Sequence, residues 1–528
     1  MVRRSSFRCG SGRLSSVFAV VILGFSNRSA QISPTAPVEV TGGQIAGVVE
    51  DGIASYMGIP FAAPPVGPLR WKAPQPVTPW TGVRKADEFG PAPMQAEIAK
   101  WLVGAKTLSE DCLYLNVWTP VTSPRERLPV MVWIYGGAYK FGATSTSVYD
   151  GTRLAGKGVV VVSVAYRLGP FGFLAHPELS AESGKGSGCY GLMDQIAALR
   201  WVKSNIAPFG GDPSCVTIFG ESAGAMSIST LMCAPDAVGL FQRAICESGV
   251  MMAPVKDGVD VMRSTPSQRL AERQGIEFLK KLGVQDINAA RALSADQIQK
   301  ASGEFSPDAP VDGQTVLGDQ YELFEAGRFA NVPLLAGWNT DDGGMFAPST
   351  VPSAGIVRTM FGPSADAILA VYPHATDLQA RQSARELIRD AFFVWPATAR
   401  AKMIARSGKS KAFLYHFDYR VGREPDGPSH GAEIEYVFGN LGGWFKSPSQ
   451  ADRAISDTMM SYWVNFAKTG NPNGAGLPNW PSFDEGTTQV QYLGRTVEAE
   501  PLPGPDKIKA LDDYYARLRR ERKAELKR

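Results

Sequence analysis

A serine between two glycines has the clearest chemical signature in this sequence. Residues 220–224 read GESAG and fit the pattern G-x-S-x-G. The strand-like run CVTIFG precedes Ser222, and the small-residue, helix-like run SAGAMSISTLMC begins at it. A sharp turn from strand to helix lifts such a serine hydroxyl to the carboxyl end of a sheet, and the flanking glycines leave the space that this turn needs. Ser222 is therefore predicted to be a nucleophile.

A serine nucleophile needs a general base, and the base needs a carboxylate that orients it. The chain has four histidines. On such a turn the nucleophile is followed along the chain by the acid and then by the base, which excludes His176. His374 lies in a loop without an evident partner, and His416 lies within the strand-like run FLYHFDY. His430, in the small-residue loop that begins SHGAEIEYVFG, is the predicted base because functional residues concentrate in loops.

The carboxylate is expected between Ser222 and His430, after a strand. The segment LLAGWNTDDGGMF (334–346) ends a strand-like run in a turn that contains Asp341 and Asp342. Turns favour aspartate for conformational reasons of their own. The residue types alone therefore do not decide which of the two aspartates is the acid that orients the base.

A glycine pair follows another strand-like run, in WIYGGAY (133–139). Glycine adopts backbone angles that other residues avoid and lets the backbone approach a ligand closely. Gly136 and Gly137 could therefore form a simple tight turn or a backbone binding site.

The elements that would position these residues alternate between strands and helices. A helix is predicted over GLMDQIAALRWVKSNIAPF (191–209), where apolar residues recur at helical spacing, and another over 380–393. The alternation predicts an α/β fold in which a central, mostly parallel, twisted sheet is covered by helices on both faces. Residues 251–310 are predicted to be a largely helical insertion. The predicted buried strands are 128–135, 158–166, 215–220, 243–248, 332–338 and 411–419.

The two ends of the chain differ from its body in charge. Residues 1–30 contain five arginines, no acid and the apolar run VFAVVILGF, which is the layout of a secretory signal peptide. We therefore predict export, to the periplasm or the medium, and a single domain over residues 31–528. Within that domain, residues 507–528 are predicted to form a basic helical tail whose charged residues are solvated.

Charge and motifs argue against several function classes. Without its basic ends the chain is acidic on balance, so nucleic acid is not a predicted partner. After residue 30 the longest apolar run, GVVVVSVA, has the length of a buried strand, so no membrane insertion is predicted. The sequence has no cysteine pair with zinc-site spacing, no HExxH and no Walker loop. No metal or nucleotide cofactor is predicted.

Five longer segments carry a resemblance to a known family. On these segments the sequence resembles the carboxylesterase type-B family of α/β-hydrolases, which includes cholinesterases and bacterial para-nitrobenzyl esterases. The segments are YMGIPFAAPPVGPLRWKAP (56–74), SEDCLYLNVWTP (109–120), GLMDQIAALRWVKSNIAPFGGDPSCVTIFGESAGA (191–225), SHGAEIEYVFG (429–439) and WVNFAKTGNPN (463–473).

The resemblance implies an α/β-hydrolase fold with helical insertions. It also implies an enzyme that hydrolyses small carboxylic esters through an acyl-enzyme, without a cofactor. By the same match Ser222 is the nucleophile, His430 the base and Asp342 the acid, at a position where the family usually has glutamate; Asp341 stays the reserve candidate. The alternatives are lipase or amidase activity on the same three residues, or a non-catalytic, cholinesterase-like binding protein.

The resemblance also interprets the glycine pair in WIYGGAY. It implies that the N–H groups of Gly137, Ala138 and Ala223 form an oxyanion hole. The methyl group of Ala138 takes space that glycine would leave free. We therefore expect Ala138 to disfavour esters of bulky tertiary alcohols.

The resemblance also bears on the predicted roles of four further residues. Arg70 and Glu110 match positions that form a structural pair in relatives. Cys112 has no upstream cysteine at the place where eukaryotic relatives have its partner, so it is expected to stay a thiol. Trp101 only loosely resembles the choline-binding tryptophan of cholinesterases, and it is given a packing role instead.

Overall fold

A sheet of twelve strands forms the centre of the computed structural model, which describes residues 32–120, 125–257, 264–347, 354–420, 426–442 and 447–526. The predicted signal peptide, residues 1–30, lies outside these ranges and stays a prediction. In chain order the strands are β1 (Ser33–Pro34), β2 (Val48–Glu50), β3 (Ile53–Pro60), β4 (Tyr114–Pro120), β5 (Leu128–Ile134), β6 (Val160–Val164), β7 (Gly211–Glu221), β8 (Arg243–Glu247), β9 (Leu334–Asn339), β10 (Ala412–Phe417), β11 (Gln489–Leu493) and β12 (Val497–Pro501).

The order of the strands brings distant parts of the chain to one edge of the sheet. The order is β1-β2-β3-β4-β6-β5-β7-β8-β9-β10-β11-β12. From β6 to β11 neighbouring strands are parallel, and antiparallel strands lie on both sides of this block. The predicted mostly parallel sheet is confirmed. Because parallel strands end at the same edge, the loops after β5, β7, β9 and β10 meet there.

Helices connect these strands, and none in the described ranges is long and apolar enough to cross a bilayer. Short strands form three smaller sheets: Val38–Val40 with Gly43–Ala46 and Val83–Lys85, Ala92–Pro93 with Leu108–Ser109, and Val255–Lys256 with Thr265–Pro266. The helices are α1 (Glu97–Leu102), α2 (Thr152–Ala155), α3 (Gly169–Phe173), α4 (Pro177–Ser183), α5 (Tyr190–Asn205), α6 (Ala223–Leu231), α7 (Gln268–Leu282), α8 (Ile287–Ala292), α9 (Ala295–Ala301), α10 (Gln320–Glu325), α11 (Ala354–Phe361), α12 (Ala365–Val371), α13 (Asp377–Arg389), α14 (Trp395–Ser407), α15 (Ile434–Phe438), α16 (Gln450–Thr469) and α17 (Pro505–Glu525).

Helix boundaries differ from the predicted ones where the backbone chemistry changes. The helix predicted over 191–209 ends at Asn205 and continues as a 3-10 turn, Ala207–Phe209. Pro208 has no N–H to donate to a helical hydrogen bond, and Gly210 adopts a left-handed φ of 81°. The second predicted helix is α13, which is followed by the π-helical segment Asp390–Val394.

The insertion predicted over 251–310 contains α7, α8 and α9, as expected. The Arg70–Glu110 pair anchors it. The Arg70 Nε and Nη2 atoms donate to the two Glu110 carboxylate oxygens at 2.6 and 2.5 Å. Arg70 Nη1 donates to the carbonyls of Ala290, Arg291 and Leu293 at the end of α8. A cation there satisfies the helix C-terminus, so the expected structural role of this pair is confirmed.

The packing role given to Trp101 is wrong. Helix α1 lies at the surface. It contacts the rest of the protein through the side that carries Ala99, its one buried residue. Trp101 is 80% exposed. A helix of six residues buries one face, and Trp101 lies outside it.

The prediction that the C-terminal basic residues are solvated is wrong for part of α17. Arg519 is buried, and its Nε donates to the Asp319 carboxylate at 2.9 Å. Tyr514 and Tyr515, on the same helix, are also buried. The helix therefore packs against the domain through a tyrosine and arginine face, which a count of charges does not reveal.

The five cysteines in the described ranges form no disulfide bonds. Cys112, Cys189, Cys215, Cys233 and Cys246 are all free thiols in the described part of the chain. The expectation for Cys112 is confirmed, and burial raises the pKa of its thiol well above the ordinary value.

Candidate active site

Ser222 lies at the tip of a strained turn between β7 and α6. Its backbone has φ 54° and ψ −122°, a region that non-glycine residues rarely adopt. Its N–H donates to the Glu247 carbonyl at 2.9 Å, which ties the turn to the neighbouring strand. A side chain at Gly220 or Gly224 would collide with the Ile134 carbonyl of β5. The two glycines of GESAG therefore let the turn pack directly against the sheet.

The side chains of Ser222, His430 and Asp342 form a continuous line of hydrogen bonds. The His430 Nε2 atom is 2.9 Å from the Ser222 Oγ atom, and the His430 Nδ1 atom is 2.8 Å from the Asp342 Oδ1 atom. All three lie in the segments that follow the parallel strands β7, β9 and β10. Asp342 is fully buried and Ser222 is 7% exposed. The structure thus brings together three residues that the sequence predicted separately.

The two candidate aspartates point in different directions. Asp342 contacts His430, whereas the Asp341 carboxylate accepts hydrogen bonds from the Arg385 guanidinium of α13. The backbone of Asp341 pairs with that of Ser429 in a parallel bridge. This bridge draws the aspartate turn against the loop that carries His430. The Asp342 side chain thereby reaches the imidazole.

The second oxygen of Asp342 is held by two further donors. The Asn339 backbone N–H donates to Asp342 Oδ2 at 2.7 Å, and the Ser248 hydroxyl donates to the same atom at 2.9 Å. Three donors, counting His430, fix the orientation of the carboxylate.

The glycine pair of WIYGGAY packs against the nucleophile. A Cβ atom on Gly136 would lie 2.7 Å from the Glu221 carboxylate and 3.0 Å from the Ser222 Cβ atom. Gly137 has φ 98°, where a side chain would collide with the Phe141 carbonyl. Both glycines are therefore needed for this approach, which is closer than a simple tight turn requires.

The loop that follows contains two of the backbone N–H groups predicted to form the oxyanion hole, those of Gly137 and Ala138. Ala138 and Tyr139 also have positive φ values, 53° and 59°. Among the described residues, no hydrogen bond from the backbone N–H of Gly137, Ala138 or Ala223 to a protein acceptor is found. The N–H of Ala223 is the first of α6, where the helix dipole favours negative charge. These three donors lie on the loops after β5 and β7.

His430 is enclosed by aromatic rings and carboxylates. The rings of Phe346 and Phe393 have centroids 5.1 Å from that of the imidazole. Glu221 Oε1 is 3.1 Å from His430 Nε2. Burial acts to lower the pKa of His430, but the charges of Glu221 and Asp342 outweigh it, and the pKa is raised to about 9. The site therefore stabilises the imidazolium.

Three buried carboxylates at this edge of the sheet are missing from the sequence prediction; two of them, Glu221 and Glu433, act on the imidazole, and the third, Glu247, acts on those two. Glu221 and Glu247 are the last residues of the apolar strands β7 and β8, and Glu433 follows His430 by three residues. Each of them is at most 5% exposed. An acid that ends a buried strand at the active edge is a signal that could have drawn attention to Glu221 and Glu247.

The other three histidines lie apart from this group. His416 is buried in β10, where its Nε2 contacts the Thr340 hydroxyl at 2.9 Å, and burial lowers its pKa to about 3. His176 caps α4, and His374 contacts the Tyr372 carbonyl. Within the described ranges, no three histidine, cysteine or acidic side chains are grouped so that they could hold a metal ion.

Comparisons with known proteins show which family the chain resembles. A family described as "Carboxylesterase family" matches residues 34–508. The para-nitrobenzyl esterase of Bacillus subtilis (strain 168) is 37% identical over 492 residues, covering 89% of this chain and 97% of the relative. A cholinesterase of Mus musculus is 35% identical over 515 residues, covering 88% and 83%. A solved structure of PNB esterase superposes with a TM-score of 0.80 at 35% identity, over 90% of this chain and 99% of the other.

Proposed function

The chain belongs to the carboxylesterase family and is an ester hydrolase, and from this premise we propose that Ser222, His430 and Asp342 are its catalytic triad. The observation that carries the proposal is the unbroken contact from the Ser222 Oγ atom through both imidazole nitrogens to Asp342. The strained backbone at Ser222 supports it, because such strain is typical of a nucleophile on a strand–helix turn.

In the proposed acylation step, the Ser222 Oγ atom attacks the carbonyl carbon of a small ester. His430 Nε2 takes the hydroxyl proton as the new C–O bond forms. The resulting imidazolium returns this proton to the alcohol oxygen as the C–O bond of the ester breaks. Water then attacks the acyl-enzyme with the same help from His430, and the acid and free Ser222 are released.

Two groups of contacts stabilise the charges that develop. The N–H groups of Gly137, Ala138 and Ala223 are proposed to donate to the oxyanion, and one such donor contributes about 3–4 kcal/mol. Asp342 at Nδ1 and Glu221 near Nε2 stabilise the imidazolium. Both groups are in place before substrate binds, so the reaction needs little reorganisation.

Covalent labelling tests the proposed nucleophile directly. An organophosphonate is expected to add one phosphonyl group per chain, on Ser222, located by fragmentation of the tryptic peptide 204–243. Only neutral His430 accepts the serine proton, so the labelling rate rises with pH towards the raised pKa of about 9 and then levels off. A label on another residue, or a rate that falls over this range, would contradict the proposal.

The third residue of the glycine loop offers a test of substrate preference. Ala138→Gly removes a methyl group beside the proposed oxyanion hole and replaces a residue held at φ 53°. We expect kcat/KM for tertiary-alcohol acetates, relative to a primary-alcohol acetate, to rise about tenfold or more. Ala143→Gly, in the same loop, is the matched control for loosened backbone. An equal change in both variants would count against a role for the Ala138 methyl group.

A further inference from the structure

A buried carboxylic acid behind the triad has no role in the mechanism above. Glu433 is fully buried. Its Oε1 atom is 3.3 Å from the Ser248 Oγ atom, and its Oε2 atom accepts from the Asn339 Nδ2 atom at 2.5 Å. Ser248 Oγ is also 2.9 Å from Asp342 Oδ2. One serine hydroxyl thus lies between two carboxyl groups, one of which orients the proposed catalytic histidine.

The number of protons limits how these contacts can be made. Ser248 has a single hydroxyl proton, so it donates to only one of the two carboxyl groups. Asp342 already accepts the N–H of His430 and the backbone N–H of Asn339, so we assign it as the acceptor of the Ser248 proton as well. The shorter contact of Ser248 is also the one to Asp342. The remaining contact, between Ser248 Oγ and Glu433 Oε1, needs a proton that comes from Glu433.

The second amide contact settles which oxygen of Glu433 carries that proton. Asn339 Nδ2 has two hydrogens; one is donated to the Ser429 carbonyl at 2.8 Å and the other to Glu433 Oε2. Glu433 Oε2 is therefore an acceptor, and Oε1 is the donor. With this assignment, each hydrogen in the series of contacts from Glu433 through Ser248 to Asp342 has one acceptor.

We propose that Glu433 is a positioning residue that acts as a neutral carboxylic acid, donating from Oε1 to Ser248 so that Ser248 donates to Asp342. An ionised Glu433 would instead attract the Ser248 proton and withdraw a donor from Asp342. The neutral acid thus keeps Asp342 fixed by three donors. The functional part of this inference rests on the proposed triad, whereas the protonation state of Glu433 does not.

The surroundings of Glu433 favour its neutral form. Burial comes first, followed by the negative charges of Glu221 and Asp342, and together they raise the pKa of Glu433 to about 8. The groups facing it are mostly acidic, so ionisation would add a charge to an already negative cluster. The titratable groups that interact with Glu433 are Glu221, Glu247, Asp342, His430, Tyr149 and Tyr415.

Infrared difference spectroscopy tests the protonation state without reference to activity. A neutral carboxylic acid has a C=O stretching band that a carboxylate lacks. At neutral pH we expect such a band in the full-length protein and in its Ser222→Ala variant, and we expect Glu433→Gln to remove it. Ser248→Ala should shift its frequency, because the acceptor of the Glu433 proton is lost. The band should disappear as the pH rises through about 8.

Glu247→Gln is the matched control for this measurement. Glu247 is also buried, and its carboxyl group accepts from the Trp463 Nε1 atom at 2.7 Å. Any band from Glu247 disappears in its own variant and is insensitive to Ser248→Ala. If Glu433→Gln removes no neutral-acid band at neutral pH, Glu433 is ionised and the proposal is overturned, even if Ser222 proves to be the nucleophile.

Kinetic comparison of two Glu433 variants tests the positioning role. The amide of Glu433→Gln can still donate to Ser248, whereas Glu433→Leu leaves Ser248 without that donor. We expect kcat/KM of the glutamine variant to exceed that of the leucine variant about tenfold, the loss typical of one hydrogen bond to a charged network. Equal values would overturn the positioning role. Thermal unfolding of both variants shows whether the leucine variant folds. If it does not, the infrared measurement decides whether the proposal holds.

Discussion

Ser222→Ala is expected to lower kcat for a simple ester about a millionfold. The variant keeps the proposed oxyanion donors and the imidazole, but no atom remains that can form the acyl-enzyme. Only the acceleration from binding and the oxyanion hole survives, about 10³-fold over water. The measurement is the hydrolysis of para-nitrophenyl acetate at enzyme concentrations high enough to detect slow turnover.

Ser456→Ala is a matched control for the loss of a buried serine hydroxyl. Ser456 lies on α16, is 2% exposed and donates to the Tyr436 carbonyl at 2.9 Å. Its loss should cost about 1 kcal/mol in the free energy of unfolding and leave kcat essentially unchanged. If Ser222→Ala turned over at the rate of the Ser456 control, another residue would have to be the nucleophile.

The predictions from sequence that depend on local backbone chemistry are the ones that the structure follows most closely. The strand–turn–helix around Ser222 is encoded within a few residues, because Gly220 and Gly224 must lack side chains to pass the Ile134 carbonyl. The apolar periodicity of α5 likewise needs no knowledge of distant residues. Both features could therefore be predicted from the sequence alone.

Features that depend on distant partners could not be predicted in this way. Asp341 and Asp342 are neighbours in a turn, and their different roles depend on distant contacts: Arg385, on another helix, binds the Asp341 carboxylate, and the backbone bridge to Ser429 holds the turn against the His430 loop. Arg519 is buried because Asp319 lies opposite it. A basic helix gives no sign of such a partner, so the residue types favoured a solvated tail.

The carboxylate cluster shows the same limit at the site itself. Glu221, Glu247 and Glu433 come from two strands and a loop, and their common environment exists only in the assembled sheet. The raised pKa of His430 is likewise a sum of contributions, from the charge of Glu221 and from the charge and hydrogen bond of Asp342, acting against burial. No single motif contains that sum, although each acid lies next to a residue that the sequence singled out or predicted as a strand end.

The adjacent aspartates allow the same substitution, aspartate to asparagine, to be compared at the proposed catalytic acid and at its neighbour. Asp342→Asn is expected to lower kcat about 10⁴-fold. The asparagine amide would donate to His430 Nδ1 and place the imidazole proton on Nε2, so that Ser222 would face a donor instead of a base. The rate of hydrolysis and the rate of phosphonate labelling should fall together, because both need the same proton transfer.

Asp341→Asn changes the same functional group one residue away. It weakens a partly buried ion pair with Arg385, worth about 1 kcal/mol in the free energy of unfolding, and leaves the backbone bridge to Ser429 in place. Because that bridge, and not the Asp341 carboxylate, holds the turn against the His430 loop, kcat should stay within about threefold of the parent value. A large loss in Asp341→Asn with a small loss in Asp342→Asn would make Asp341 the acid. Comparable large losses in both would mean that the Arg385 ion pair is itself needed to hold the turn.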